Sequence, residues 1–128
     1  MPPLKRSIAL LVRERDRILS VRRADDDDEL PGVWGLPAGS FRASETLDDL
    51  VFRIGRDKLG VALKPIRKLA HGRQERTQYI LDMELWEAEI VSGIPEHPAW
   101  QWAMPEILLP GISQGSLCCR LAADVLKS

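Results

Sequence analysis

The spacing of apolar residues along the chain switches between a strand pattern and a helix pattern. Residues 5–13 form an apolar run bounded by charged residues, which predicts a buried strand. Residues 17–22 predict a second strand, and the charged residues 14–16 predict a hairpin turn between the two. Residues 31–39 combine Pro and Gly with apolar anchors, so they predict a structured loop that contains a short strand.

Residues 46–59 show helical spacing. Thr46 and Asp49 match a capping box, and Gly60 stands where a left-handed C-terminal cap is expected. Gly55 is an anomaly, because glycine inside a helix costs about 1 kcal/mol relative to alanine. The apolar stripe at positions i, i+3, i+4 and i+7 consists of Leu47, Leu50, Val51 and Ile54.

The second half of the chain predicts three strands followed by a helix. The strands are expected at residues 61–70, 77–91 and 99–102, and the helix at residues 115–127. This order predicts an α+β fold in which a mixed β-sheet is sandwiched between helices. The length fits a single domain over residues 1–128.

Charge and cysteine content narrow the class of protein. The formal net charge is −1, which gives no global attraction to a nucleic acid polymer. The longest apolar run, residues 8–12, is far too short to span a bilayer, and the N-terminus lacks a signal-peptide pattern.

The adjacent thiols Cys118 and Cys119 predict a reduced, cytoplasmic protein, and His71 and His97 lack partners at zinc-ligand spacing. The acidic run at residues 25–29 predicts a solvated loop.

The most specific motif spans residues 39–61, the box segment. It contains Gly39, Glu45, Arg53 and Gly60 at fixed spacing. This spacing resembles the Nudix box, G-x5-E-x7-R-E-U-x-E-E-x-G-U, in which U is a bulky aliphatic residue. Three positions depart from the motif: Ile54, Gly55 and Lys58. The flanking residues 21–39 and 102–106 also resemble Nudix proteins, so the resemblance covers nearly the whole chain. The matching positions are Gly39, Glu45, Arg53, Gly60 and Val61, with Asp57 as a conservative match.

The resemblance implies an enzyme that cleaves the diphosphate of a nucleoside derivative with Mg²⁺ or Mn²⁺. The last three acidic positions of the motif lie at i, i+3 and i+4 and hold the metal. In this chain Asp57 alone keeps an acid there, while Ile54 and Lys58 replace the other two. Glu45 and Arg53 stand at the positions of a supporting ion pair. The resemblance therefore assigns catalytic roles to Asp57, Glu45 and Arg53.

The same resemblance suggests further contacts. Arg23, Gly39 and Lys58 stand at positions where family members bind substrate. Glu96 lies in a loop where some members have a further metal ligand, which would act together with Asp57. Each has a purely structural alternative, such as a surface arginine for Arg23 or a loop acid for Glu96. For Lys58 the alternative is a side chain that extends from the edge of the apolar stripe.

Three functions remain open from the sequence. The first is a Nudix-type hydrolase acting on nucleoside diphosphate derivatives, with activity weak or lost because two metal-face acids are missing. The second is a catalytically inactive nucleotide-binding domain, and the third is a protein-interaction domain on the same fold. The expected partner in the first two is a small diphosphate ligand, with no nucleic acid polymer and no membrane, and a homodimer is left open.

Overall fold

The computed structural model describes residues 2–96 and 99–127, so His97 lies outside the described residues. Strand β1 (Leu4–Glu14) and strand β2 (Arg17–Arg22) form the predicted hairpin, in which Glu14 pairs with Arg17. Arg15 in the turn has a positive φ of 59°. Successive β1 side chains point to opposite faces, and both faces are buried, which explains the uninterrupted apolar run.

The described strands form one seven-stranded mixed sheet, with β3-β2-β1-β6-β5 as its main order. Strands β1 and β6 are parallel, whereas β5 and β6 are antiparallel. Strand β4 pairs with β1, and β7 pairs with β2. The remaining strands are β3 (Trp34–Gly35), β4 (Ala38–Ser40), β5 (Ala62–Glu75), β6 (Ile80–Ser92) and β7 (Trp100–Ala103).

The helix predicted at residues 46–59 is divided into two parts. Helix α1 (Leu47–Ile54) begins at the predicted capping box, with Thr46 as N-cap, and continues as a π-helical turn (Gly55–Leu59). Gly60 ends it with φ of 70°, confirming the predicted left-handed cap. A Cβ atom on Gly55 would lie 2.7 Å from the carbonyl oxygen of Val61. The close approach of the following chain therefore explains why glycine occupies a helical position.

The C-terminal region contains more helix than the sequence predicted. A 3₁₀ helix (Pro105–Leu108) and a short helix α2 (Leu109–Ser113) precede helix α3 (Leu117–Leu126). Each of these two elements has Pro in its first turn, where the missing N–H costs nothing. Both are too short to show a helical period.

The sheet is covered on both faces, as the predicted sandwich requires. One core packs α3 against β6, with Leu85 and Leu117 among its buried members. The other packs α1 against β1 and β5, with Leu50 and Ile54 among them. None of the helices described is long and apolar enough to cross a bilayer.

Candidate functional site

Glu45 and Arg53 form a bidentate ion pair that joins the loop of the box segment to α1. Arg53 Nε donates to Glu45 Oε2 at 2.7 Å, and Arg53 Nη2 donates to Glu45 Oε1 at 3.0 Å. Arg53 Nη2 also donates to the carbonyl oxygen of Ser40 at 2.6 Å. Both side chains are mostly buried, with exposed fractions of 16% and 14%. The ion pair predicted from the sequence is confirmed.

The surroundings of Glu45 favour its charged form. Hydrogen bonding from Arg53, and then from the Arg42 backbone N–H, lowers the pKa of Glu45 to about 2. The Arg42 N–H donates to Glu45 Oε1 at 2.8 Å. Glu45 is therefore ionised at neutral pH and fixes both the loop and the guanidinium of Arg53. These contacts let Glu45 hold Arg53 and the loop in position.

A cavity of about 740 Å³ opens beside the box segment. Its wall combines that segment with the loop after β2, with β6 and with the start of α3. Among the described residues of the wall, basic side chains outnumber acidic ones by seven to two, the acids being Asp27 and Glu29. Such an excess suits an anionic ligand. The basic residues are Lys5, Arg22, Arg23, Arg42, Arg53, Lys58 and Arg76.

Ion pairs within the wall neutralise part of this positive charge. Arg23 lies 3.0 Å from Asp27, and Arg76 donates to Glu29 at 2.7 Å. Tyr79 Oη also donates to Glu29, at 2.5 Å. Burial and this hydrogen bond raise the pKa of Tyr79, so its phenol stays protonated.

The acidic run is more ordered than a solvated loop. Most of it is exposed, as predicted, but Asp27 and Glu29 face the cavity and hold basic partners. Asp27 also accepts the backbone N–H groups of Glu29 and Leu30. The contact of Glu29 with Arg76 joins positions far apart in sequence, and no local signal predicts it.

The three metal-face positions have different surroundings. Ile54 is 1% exposed, and its Cγ1 would lie 3.0 Å from a Cβ atom on Gly39. Asp57 is exposed and accepts from Arg56 Nε at 2.9 Å, and this contact lowers the pKa of Asp57. Lys58 lines the cavity, whereas Asp57 does not belong to its wall.

The side chains present do not fit the Mg²⁺ or Mn²⁺ that the resemblance implies. Among residues 2–96 and 99–127, no group of three or more His, Cys, Asp and Glu side chains is placed to hold a metal ion. Glu96 lies against Gly60, and its N–H donates to the carbonyl oxygen of Leu59 at 2.7 Å. Glu96 is not part of the cavity wall. A metal role for Asp57 or Glu96 remains a prediction.

The other predicted positions lie at the cavity. Arg23 and Gly39 are both in its wall, although Arg23 is already paired with Asp27. Cys118 and Cys119 are free thiols, as predicted, and both are buried on α3. Cys118 also contributes to the wall. No local sequence signal connects these thiols with the site, because α3 reaches it through tertiary packing.

Comparison with known proteins identifies the family. The MutT protein from Methanosarcina mazei Go1 is similar in fold, with a TM-score of 0.71 and 24% identity over 85% of this chain and 83% of that one. A NUDIX hydrolase from Nitrosomonas europaea has a TM-score of 0.77 and 13% identity, over 97% of this chain and 88% of that one.

A UDP-X diphosphatase has a TM-score of 0.73 and 16% identity over 99% of this chain and 64% of its own. A comparison with curated protein sequences finds no significant match. The family model of the NUDIX domain matches residues 2–116. The chain therefore belongs to the Nudix family.

Proposed function

We propose that this chain binds a nucleoside diphosphate derivative in the cavity beside the box segment. The seven-to-two excess of basic side chains in the wall is the observation that carries the proposal. Nudix hydrolases act on small-molecule nucleotides, and the similarity to a UDP-X diphosphatase supports a diphosphate ligand. We further propose that residues 1–128 act as one Nudix domain in the cytoplasm.

The box segment supplies the contacts with the diphosphate. Arg42 and Lys58 offer positive charge, and Arg53 is held in place by Glu45. Guanidinium groups suit phosphate because their donors match two oxygens at once. Gly39 keeps the wall free of a side chain at this point, where Ile54 packs behind the loop.

Cleavage of the ligand is expected to be far slower than in a Nudix enzyme with a complete set of metal-face acids. Members of the family generally use a divalent metal ion. In this chain Ile54 has no carboxylate and is buried, while Asp57 is paired with Arg56 and lies outside the cavity wall. We therefore propose a homologue of Nudix hydrolases whose main property is ligand binding.

The test measures binding and turnover in the same preparation. Calorimetric titration of the full chain with UDP-glucose, ADP-ribose and the matching nucleosides should show binding of the diphosphates and none of the nucleosides. Incubation with Mg²⁺ or Mn²⁺ should release nucleoside monophosphate slowly. If no diphosphate compound binds, the proposal is wrong and a protein-interaction domain is favoured. Rapid metal-dependent release would contradict the expected loss of turnover.

A further inference from the structure

Lys58 differs from the other two metal-face positions because it alone is part of the cavity wall. Ile54 is buried in the core beneath α1, and Asp57 is paired with Arg56 at the surface. The π-helical turn contributes to this separation. It contains more residues per turn than an α-helix, so positions three apart, such as Ile54 and Asp57, lie further apart around the helix axis.

The charges near Lys58 leave a positive excess. The wall contains three cations from the box segment, namely Arg42, Arg53 and Lys58. Glu45 neutralises Arg53, and Asp57 neutralises Arg56 outside the wall. Within the described part of the chain, neither Arg42 nor Lys58 forms a salt bridge, but the charge of Arg42 acts on Glu45 and Asp57 and contributes to the lowered pKa of both. Of the three cations that the box segment contributes to the wall, Lys58 is therefore the one to which the structure gives no ionic partner among the described residues.

The other basic residues of the wall compete less well for a diphosphate. Arg22 lies 2.5 Å from Asp25, and Arg23 lies 3.0 Å from Asp27. Arg76 is held by Glu29 in the same way. An anionic group that entered there would have to displace a carboxylate. The diphosphate is therefore directed toward the box segment.

We propose that the Lys58 ammonium group binds the diphosphate directly and takes the place of the family's metal ion. This inference rests on the proposed function and deepens it, because it makes ligand binding independent of a divalent cation. An ammonium group supplies a positive charge and three hydrogen-bond donors to phosphate oxygens. It supplies no Lewis acid and no metal-bound water, so it supports binding without supporting hydrolysis.

The test uses inorganic pyrophosphate as the probe, titrated in EDTA and again in excess Mg²⁺. The wild-type chain should bind at least as tightly in EDTA as in Mg²⁺, because Mg²⁺ complexes free pyrophosphate and offsets the charge that Lys58 would bind. Lys58→Met should raise the dissociation constant at least about tenfold, as expected for the loss of one charge-assisted hydrogen bond. Lys58→Arg should retain most of the affinity because it keeps the charge.

A matched control removes the same charge elsewhere. Lys64 on β5 is 62% exposed, pairs with Glu89 and is not part of the cavity wall. Lys64→Met should therefore bind pyrophosphate like the wild type. Because Lys58 is exposed, Lys58→Met should also unfold at the wild-type temperature, which separates loss of binding from loss of fold.

Two results would overturn the inference while leaving the proposed function intact. One is wild-type binding of UDP-glucose or pyrophosphate that appears only when Mg²⁺ is present. The other is a Lys58→Met variant that binds as tightly as Lys64→Met. If the wild type binds neither pyrophosphate nor UDP-glucose with or without Mg²⁺, the proposed function fails and this inference fails with it.

Discussion

Replacement of Ile54 by smaller residues tests whether this metal-face position has become part of the core. Ile54→Ala removes three carbons from a side chain that is 1% exposed. At ~0.8 kcal/mol for each buried methylene group, the transfer term alone is about 2.4 kcal/mol. Gly39 packs against Ile54 and has no side chain that could fill the space. The cavity should therefore persist and bring the total loss of unfolding free energy to about 3–4 kcal/mol.

The assay is urea unfolding followed by tryptophan fluorescence. The core that contains Ile54 is also contacted by Trp86, Trp100 and Trp102. Their fluorescence emission therefore reports on the unfolding of that core. Ile54→Val should cost only about 1 kcal/mol, because it removes one methyl group. The matched control is Phe52→Ala, which shortens a side chain that is 51% exposed on the same helix.

Phe52→Ala should cost about 1 kcal/mol or less, because an exposed ring contributes little beyond its contact with a nearby cation. Arg56 lies over this ring at 5.8 Å. If Ile54→Ala destabilises the chain no more than Phe52→Ala does, Ile54 is not a core residue. The position would then be open to the cavity, as a metal-face residue should be.

Three further predictions concern the box segment. Glu45→Gln should lower the melting temperature at neutral pH, because Arg53 loses its ionic partner. Folding lowers the pKa of Glu45 from 4.5 to about 2. The ion pair therefore stabilises the chain fully above the pKa of the unfolded state, and this stabilisation is lost as the pH falls toward about 2. A gap from the wild type that stays constant over that pH range would contradict this assignment. Gly55→Ala should destabilise the chain, because the new Cβ would lie 2.7 Å from the Val61 carbonyl oxygen. Such overpacking costs about 1–3 kcal/mol, whereas the gain in helix propensity is about 1 kcal/mol. A raised melting temperature would show that the chain after the helix can move away. Calorimetric titration of the free protein with Mg²⁺ should show no site tighter than the millimolar range, because Asp57 is paired with Arg56. A dissociation constant in the micromolar range would mean that oxygen ligands outside this helix converge on the metal.

Features of the chain set by local sequence were predictable. The capping box at Thr46 and the left-handed cap at Gly60 depend on residues only a few positions apart, and both are confirmed. The apolar stripe correctly placed Ile54 on the buried face of α1. The ion pair between Glu45 and Arg53 followed from the motif and is also confirmed.

Features set by tertiary approach were not predictable in the same way. The π-helical turn lies where the chain after Gly60 passes close to Gly55, a contact that helical periodicity does not encode. The contacts of Glu29 with Arg76 and Tyr79 join the acidic loop to the turn between β5 and β6. The composition of the acidic run showed only that it should be exposed.

The motif names candidate residues for the site but does not predict which of them reach the cavity. Arg23, Gly39 and Lys58 all line the cavity, and the substrate-binding role that the resemblance implies for them stays a prediction. The motif alone placed Asp57 beside Lys58, but the structure leaves Asp57 outside the wall. Which side chains of a helix reach a cavity depends on its local pitch and on neighbouring strands, and a motif does not specify either.

Amide chemical shifts of the full chain titrated with UDP-glucose in EDTA test the central claim most directly. That claim is that the cavity binds a diphosphate through basic side chains without a divalent metal. The largest shifts should fall on residues 39–42 and on Lys58, and addition of Mg²⁺ should leave them nearly unchanged. Shifts that appear only after Mg²⁺ is added, or that lie away from the cavity, would contradict the claim.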